Sequence, residues 1–297
     1  MTGDAEGRSD VLRYRIRSFI EHFSATAIDL VDLARGEERS VRQMPTLIPE
    51  WIHHLNELTR ATLHGVIQRQ KPADSGEWIL ESQSTEPIWL LAKSSAPQAV
   101  RNPETGEWND LTRFLGAFVT PNTPEVIRFL RTVVDHHPEK RLDGYQSGVR
   151  TQVEAIYSAL KAHGVVYVDS VLDFNPGAQA HSQRVRLPSE SLGDRLANCI
   201  DGVVLFASLI QGISVNPCLV VLPRHAVVGW ETKPGSDKWH YLETTMLSTH
   251  DFEKAVEVGT QQVEAYQQRF EATQDPAWYR RWSLRELRAE YGIMPMG

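Results

Sequence analysis

The chain has 297 residues, 41% hydrophobic and 23% charged, which is ordinary globular usage and excludes disordered, collagen-like and coiled-coil classes. Its 31 Lys and Arg against 38 Asp and Glu leave a net charge of −7, so a general nucleic-acid coat or an electrostatic membrane-surface binder is excluded, and neither membrane association nor direct nucleic-acid binding is expected. Cys199 and Cys218 are too few for a disulfide framework, no run reaches the roughly 18 apolar residues of a membrane span, and MTGDAEGRSD has no apolar stretch behind a basic region; the chain reads as cytoplasmic with reduced thiols.

In chain order, residues 1–10 are polar and glycine-bearing and read as a disordered leader. Tyr14, Ile16, Ser18 and Ile20 then alternate as a strand would. Residues 52–69, 77–83 and 87–93 are rich in Trp, Ile, Leu and Thr, are separated by KPADSG and STEP, and predict short antiparallel strands. Together they predict a β-rich module over residues 11–120, with a turn-rich hairpin or loop at 102–110. At Thr120 the texture changes. Val126, Ile127, Leu130, Val133 and Val134 fall at helical spacing, as do Val149, Val153, Ile156, Tyr157 and Leu160, with Gly164 as the cap of that second helix and a short strand at 165–168. The second domain is therefore expected over 121–297.

The chemistry is concentrated between Gln183 and Glu243. Cys199 falls where a polar, capped loop turns into a helix striped by Val203, Val204, Ala207 and Ile210. At such a helix start, unpaired backbone N–H groups and the helix dipole support a sulfur nucleophile. Asn198 and Asp201 beside it read as helix-start residues rather than reactants. CLVVL and HAVVGWE then predict two adjacent strands around a Pro223-Arg224 corner, with His225 opening the second, and WHYLETT predicts a third ending in Glu243. A nucleophile, a base and an acid that orients the base are the three parts of a thiol acyl-transfer site. Cys218, inside an apolar strand, reads as a core residue.

The runs Gln183-Arg184-Val185-Arg186-Leu187-Pro188, Asn198-Cys199-Ile200-Asp201-Gly202, His225-Ala226-Val227-Val228-Gly229 and Leu242-Glu243-Thr244-Thr245 resemble the transglutaminase-like cysteine peptidase domain of the papain-like superfamily, over about residues 140–247. The nearest likeness is to bacterial versions in multidomain and anti-phage defence proteins. The resemblance implies an α+β fold with the nucleophile helix packed on an antiparallel sheet, and Cys199, His225 and Glu243 as catalytic residues. It also implies Gln183 as an oxyanion donor beside the Cys199 backbone N–H, a protein or peptide substrate, and control by an NTPase or sensor partner. The superfamily usually carries Asp where this chain has Glu243, one methylene longer. Asp251 is the rival for that place. Peptide hydrolysis is the first reading; glutamine transamidation or deamidation, and a non-catalytic scaffold retaining the fold, are its alternatives.

No cofactor is expected. The paired histidines His53-His54 and His136-His137 show no metal-ligand spacing, so no metal site is expected either. Residues 252–272 predict a solvated outer helix. The tail from Pro276, with Arg280, Arg281, Arg285 and Arg288, predicts an amphipathic helix packed back on the domain.

Overall fold

The computed structural model describes residues 11–71, 76–169 and 180–296. The expected leader at 1–10 lies outside them. The chain is mixed α/β and divides into two compact units, 1–93 and 94–297. The division falls earlier than the change of texture at Thr120 suggests. Residues 95–101 pair with residues 180–184, some 80 positions later, a link that local composition does not show.

The first unit is a four-stranded antiparallel sheet of β1 (Leu12–Ile20), β2 (Ala27–Leu33), β3 (Thr59–Gln70) and β4 (Trp78–Leu90), in the order β2-β1-β3-β4, with one helical turn, α1 (Pro49–Ile52). The expected strand at the start of the chain is thus a hairpin. The two short strands expected at 77–83 and 87–93 are one strand, β4, running through Pro87. β4 lies at the sheet edge and pairs only with β3, so the missing proline N–H interrupts no inner ladder.

The second unit begins with β5 (Ser95–Arg101) and β6 (Trp108–Asp110), the hairpin expected at 102–110. Asn102 Oδ1 accepts the N–H groups of Glu104 and Thr105 at 2.9 and 3.3 Å, and Gly106 takes φ +74°. Helices α2 (Pro124–His136) and α3 (Val149–His163) follow, the latter ended by Gly164 in the left-handed region at φ 86°. Then come β7 (Val166–Tyr167), β8 (Ala180–Arg184), α4 (Pro188–Asp194), β9 (Leu196–Ala197) and α5 (Cys199–Gly212). β8 pairs antiparallel with β5, whereas β7 pairs parallel with β9.

The remaining elements are β10 (Pro217–Leu222), β11 (His225–Glu231), β12 (Trp239–Leu242), α6 (Phe252–Thr273), β13 (Arg280–Ser283) and α7 (Leu284–Ala289). They complete an antiparallel sheet in the order β12-β11-β10-β13. The tail is therefore a fourth strand and a short helix, not one amphipathic helix. Pairing Arg280–Ser283 with β10 gives its backbone a ladder, and Trp282 Nε1 and Arg280 Nε reach Thr112 Oγ1 and Asp110 Oδ2 at 3.0 and 2.5 Å.

Every residue of α5 from Ile200 to Ile210 is buried. A helix that is apolar all round must be enclosed, and α5 is: it packs on β10 and β11 and is flanked by α2, α3 and α4. Tyr157, Phe206, Trp230 and Phe252 form an aromatic cluster in the same core. No helix among the described residues is long and apolar enough to cross a membrane.

Candidate active site

Cys199 is the first residue of α5, held there by a reciprocal cap. Asp201 N–H donates to Asn198 Oδ1 at 2.9 Å, and Asn198 N–H donates to Asp201 Oδ2 at 3.0 Å. The fully buried Asp201 does more than cap. Its Oδ1 accepts the Arg186 backbone N–H at 2.7 Å and its Oδ2 accepts Arg186 Nη1 at 2.8 Å. One carboxylate thereby joins the start of α5 to the chain leaving β8.

His225 opens β11 directly after the two-residue corner Pro223-Arg224, in which Arg224 takes φ 61°. Glu243 follows the last residue of β12. The ladder pairs Val228 with Leu242, so continuing it by one residue sets Glu243 opposite Val227. Side chains alternate along a strand, which puts Glu243 on the face of Val227 and therefore of His225, at the diagonal distance a carboxylate arm spans. His225 Nε2 and Glu243 Oε2 are 2.6 Å apart. The other carboxylate oxygen, Oε1, accepts both the backbone N–H of Thr245 at 3.0 Å and its hydroxyl at 2.6 Å. Glu243 is 2% exposed, so the carboxylate is dry and has fixed donors on both sides.

Cys199 also lies close enough to the His225 ring to act on it electrostatically. With Nε2 committed to Glu243, Nδ1 is the nitrogen left for the sulfur. Burial works against charge on this ring, but its interactions with Cys199 and with the Glu243 carboxylate outweigh it and push the pKa up to about 10. Burial likewise works against charge on Glu243, and is outweighed by the hydrogen bond and charge of His225 and by Thr245, which hold its pKa below the usual value. Both shifts favour an imidazolium–carboxylate pair.

The structure thus brings Cys199, His225 and Glu243 together. Asp251 is elsewhere: it caps α6, accepting the Lys254 N–H at 2.8 Å. Gln183 lies in β8 opposite Ala96, three residues before Arg186. Since three extended residues span at most about 10 Å, the Asp201–Arg186 contact keeps Gln183 in the neighbourhood of the helix start. Cys218 is fully buried in β10, where burial pushes its thiol pKa far up. The two cysteines are not joined.

Other residues of the site are not evident from spacing. Thr245 fixes the carboxylate, and its signal is its position two residues after Glu243. Tyr167, on β7 opposite Ala197, lies close enough that burial first, and then the negative charges of Asp169, Cys199 and Glu243, raise its pKa. Gly202 and Gly259 are close-approach glycines. A Cβ at Gly202 would meet Thr244 Oγ1 at 2.7 Å, and one at Gly259 would meet the Glu243 backbone nitrogen at 2.7 Å and the Leu242 carbonyl carbon at 2.9 Å. α6 can therefore lie on the chain that carries Glu243 only because Gly259 has no side chain. Beside the start of α5 is a cavity of about 10 Å³, room for one water, lined by Tyr167, Asn198, Gly202 and Thr244 among others. Among the described residues, no group of three or more His, Cys, Asp or Glu is arranged to hold a metal ion.

The chain matches no family model and no curated protein.

Proposed function

We propose that residues 94–297 form a papain-like, transglutaminase-type cysteine peptidase domain that hydrolyses peptide bonds in a protein substrate. The observation that carries this reading is the alignment of a helix-start cysteine, a histidine and a buried carboxylate, with the histidine shared between the other two. In this reading the Cys199 sulfur bonds to the substrate carbonyl carbon. The His225 imidazolium gives its proton to the leaving amine as the C–N bond breaks, leaving a thioester. Neutral His225 then takes a proton from water as the water oxygen attacks the thioester carbon. The C–S bond then breaks, releasing the acid and freeing the sulfur beside the restored His225 imidazolium. Glu243 holds the ring and balances the imidazolium. Its longer arm suits the site, since the carboxylate reaches Nε2 at 2.6 Å while Thr245 holds its other oxygen. Gln183 is the proposed side-chain donor to the developing oxyanion. The resemblance extends the proposal to a cytoplasmic effector of bacterial defence, switched on by an NTPase or sensor partner.

The test is alkylation of the whole chain by a thiol-reactive electrophile, mapped by peptide mass spectrometry, together with cleavage of a quenched fluorescent protein substrate. Selective labelling of Cys199 that slows at least tenfold in His225→Ala, with cleavage lost in Cys199→Ala, is the expected result. Labelling indifferent to His225 would reject the reading.

A further inference from the structure

We propose that one face of the first unit's sheet is a docking surface for an acidic, apolar-edged segment of a partner protein. The strand registers put Leu30, Arg15, Gln68 and Leu80 in one row across the sheet, and Ile28, Arg17, Val66 and Gln83 in the next, all on the same face. Arg60 and Trp89 form a further row of that face. Ile28, Leu30 and Leu80 are 58, 60 and 54% exposed, so open aliphatic side chains lie at both ends of the Arg15 row and on the β2 side of Arg17, whose β3 neighbour Val66 is buried. The opposite face carries Ile16, Val31 and Ala61; Val31 and Ala61 are buried, and the Gln43 amide donates there to Ile16 O and Asp29 Oδ2.

The charge on the face is fixed but not neutralised. Arg13 is paired with Asp32 at 2.7 Å. Arg15 is held by Gln68 Oε1 at 3.0 and 2.7 Å and lies over the Trp78 ring at 4.5 Å, contacts that orient the guanidinium and leave its charge uncompensated. Arg17 Nε is buried and finds no partner among the described residues. Arg15 and Arg17, two residues apart on one strand, are separated by about 6.8 Å.

Ile28, Leu30, Leu80 and Trp89 are all exposed large apolar side chains on this one face. Arginine and tryptophan with aliphatic neighbours are the composition of protein interface centres. The oriented guanidiniums call for two carboxylates. A nucleic acid would leave Ile28, Leu30 and Leu80 without stacking partners, so a protein segment is the occupant these residues fit.

The test uses the full chain with Cys199→Ala, which makes it independent of the peptidase reading. A photo-crosslinking residue is placed at Leu30, or at Ser82 on the opposite face as a control, in the protein's own host cell. The crosslinked peptide is then identified by mass spectrometry. The expected product comes from Leu30 alone, maps to a segment bearing at least two acidic residues beside apolar ones, and falls at least tenfold in Arg15→Glu/Arg17→Glu. Reversing the mapped acids to Lys restores it. Arg15→Gln/Arg17→Gln, checked by circular dichroism, guards against a folding failure in the reversed variant. Equal yield from both faces, no product, a non-acidic segment, or crosslinks to nucleic acid or lipid would overturn the proposal.

Discussion

His225 Nε2 lies 2.6 Å from Glu243 Oε2, and the same carboxylate is held from behind by the hydroxyl and backbone N–H of Thr245. The ring is thereby fixed by a group that is itself fixed. Replacing Glu243 by Gln keeps the shape and removes the charge that balances the imidazolium. The expected result is a loss of about one to three orders of magnitude in kcat with little change in KM, read from steady-state cleavage. Thr245→Val should cost less, about tenfold, because it frees the carboxylate without discharging it. A Glu243→Gln enzyme of full activity would remove Glu243 from the proposed machinery.

The ion pair also sets a pH window for stability. The folded His225 pKa, about 10, lies above its ordinary 6.5, so its contribution is complete below 6.5 and fades as pH rises through about 10. The Glu243 pKa is lowered from its ordinary 4.5, so its contribution is complete above 4.5 and fades as pH falls through the lowered value. The melting-temperature gap between the native protein and His225→Gln should therefore be widest between those two ordinary values and narrow steadily toward alkaline pH. A gap that widens with rising pH contradicts the pairing. Imidazole NMR on Cys199→Ala should further show the His225 pKa dropping while staying above 6.5, because one of its two partners remains.

Gly259 provides a test of packing. Gly259→Ala drives a methyl into the backbone at Leu242 and Glu243, and should cost about 1–3 kcal/mol and displace the carboxylate. Gly193→Ala in α4, where a Cβ meets nothing within 4 Å, should be neutral or stabilising by up to about 1 kcal/mol. Urea unfolding of the two variants gives the comparison, and equal costs would mean that the close approach of α6 is not tight in solution.

Asp201→Asn swaps one accepting oxygen for an N–H₂ group facing donors and leaves the Arg186 guanidinium, 15% exposed, without its counter-charge. A loss of about 3–5 kcal/mol is expected from stranding a charge in so dry a place. Cys218→Ala should cost only about 1 kcal/mol and keep activity, since that thiol packs in the cluster of Val220, Val227 and Tyr241. Chemical denaturation and cleavage assays on the pair separate a buried strut from a filler residue.

Much of the site was legible because its parts are local patterns. Asn198 and Asp201 around Cys199 spell a helix start, and CLVVL, the Pro223-Arg224 corner and HAVVGWE spell a hairpin that can close only one way. What the pattern hid depends on partners far along the chain. β5 looks like the end of a β-rich module until β8 pairs with it, and Arg280–Ser283 looks helical until β10 offers it a ladder. Pro87 reads as a strand breaker because sequence does not say that β4 is an edge. Gly259 reads as a weak spot in a helix because its reason lies on another element.

The two-residue period of β11 and β12 makes the site digital. A change in length within Thr232–Lys238 leaves the ladder in phase and the His225–Glu243 contact in place. A single deletion inside β12 leaves a sheet that still pairs but turns Glu243 to the opposite side, stranding the histidine without a partner. Such a lineage would lose the proposed chemistry in one step while keeping its fold, so among descendants of this chain the residue count within the paired strands, from His225 to Glu231 and from Trp239 to Glu243, matters more than the length of the loop between them.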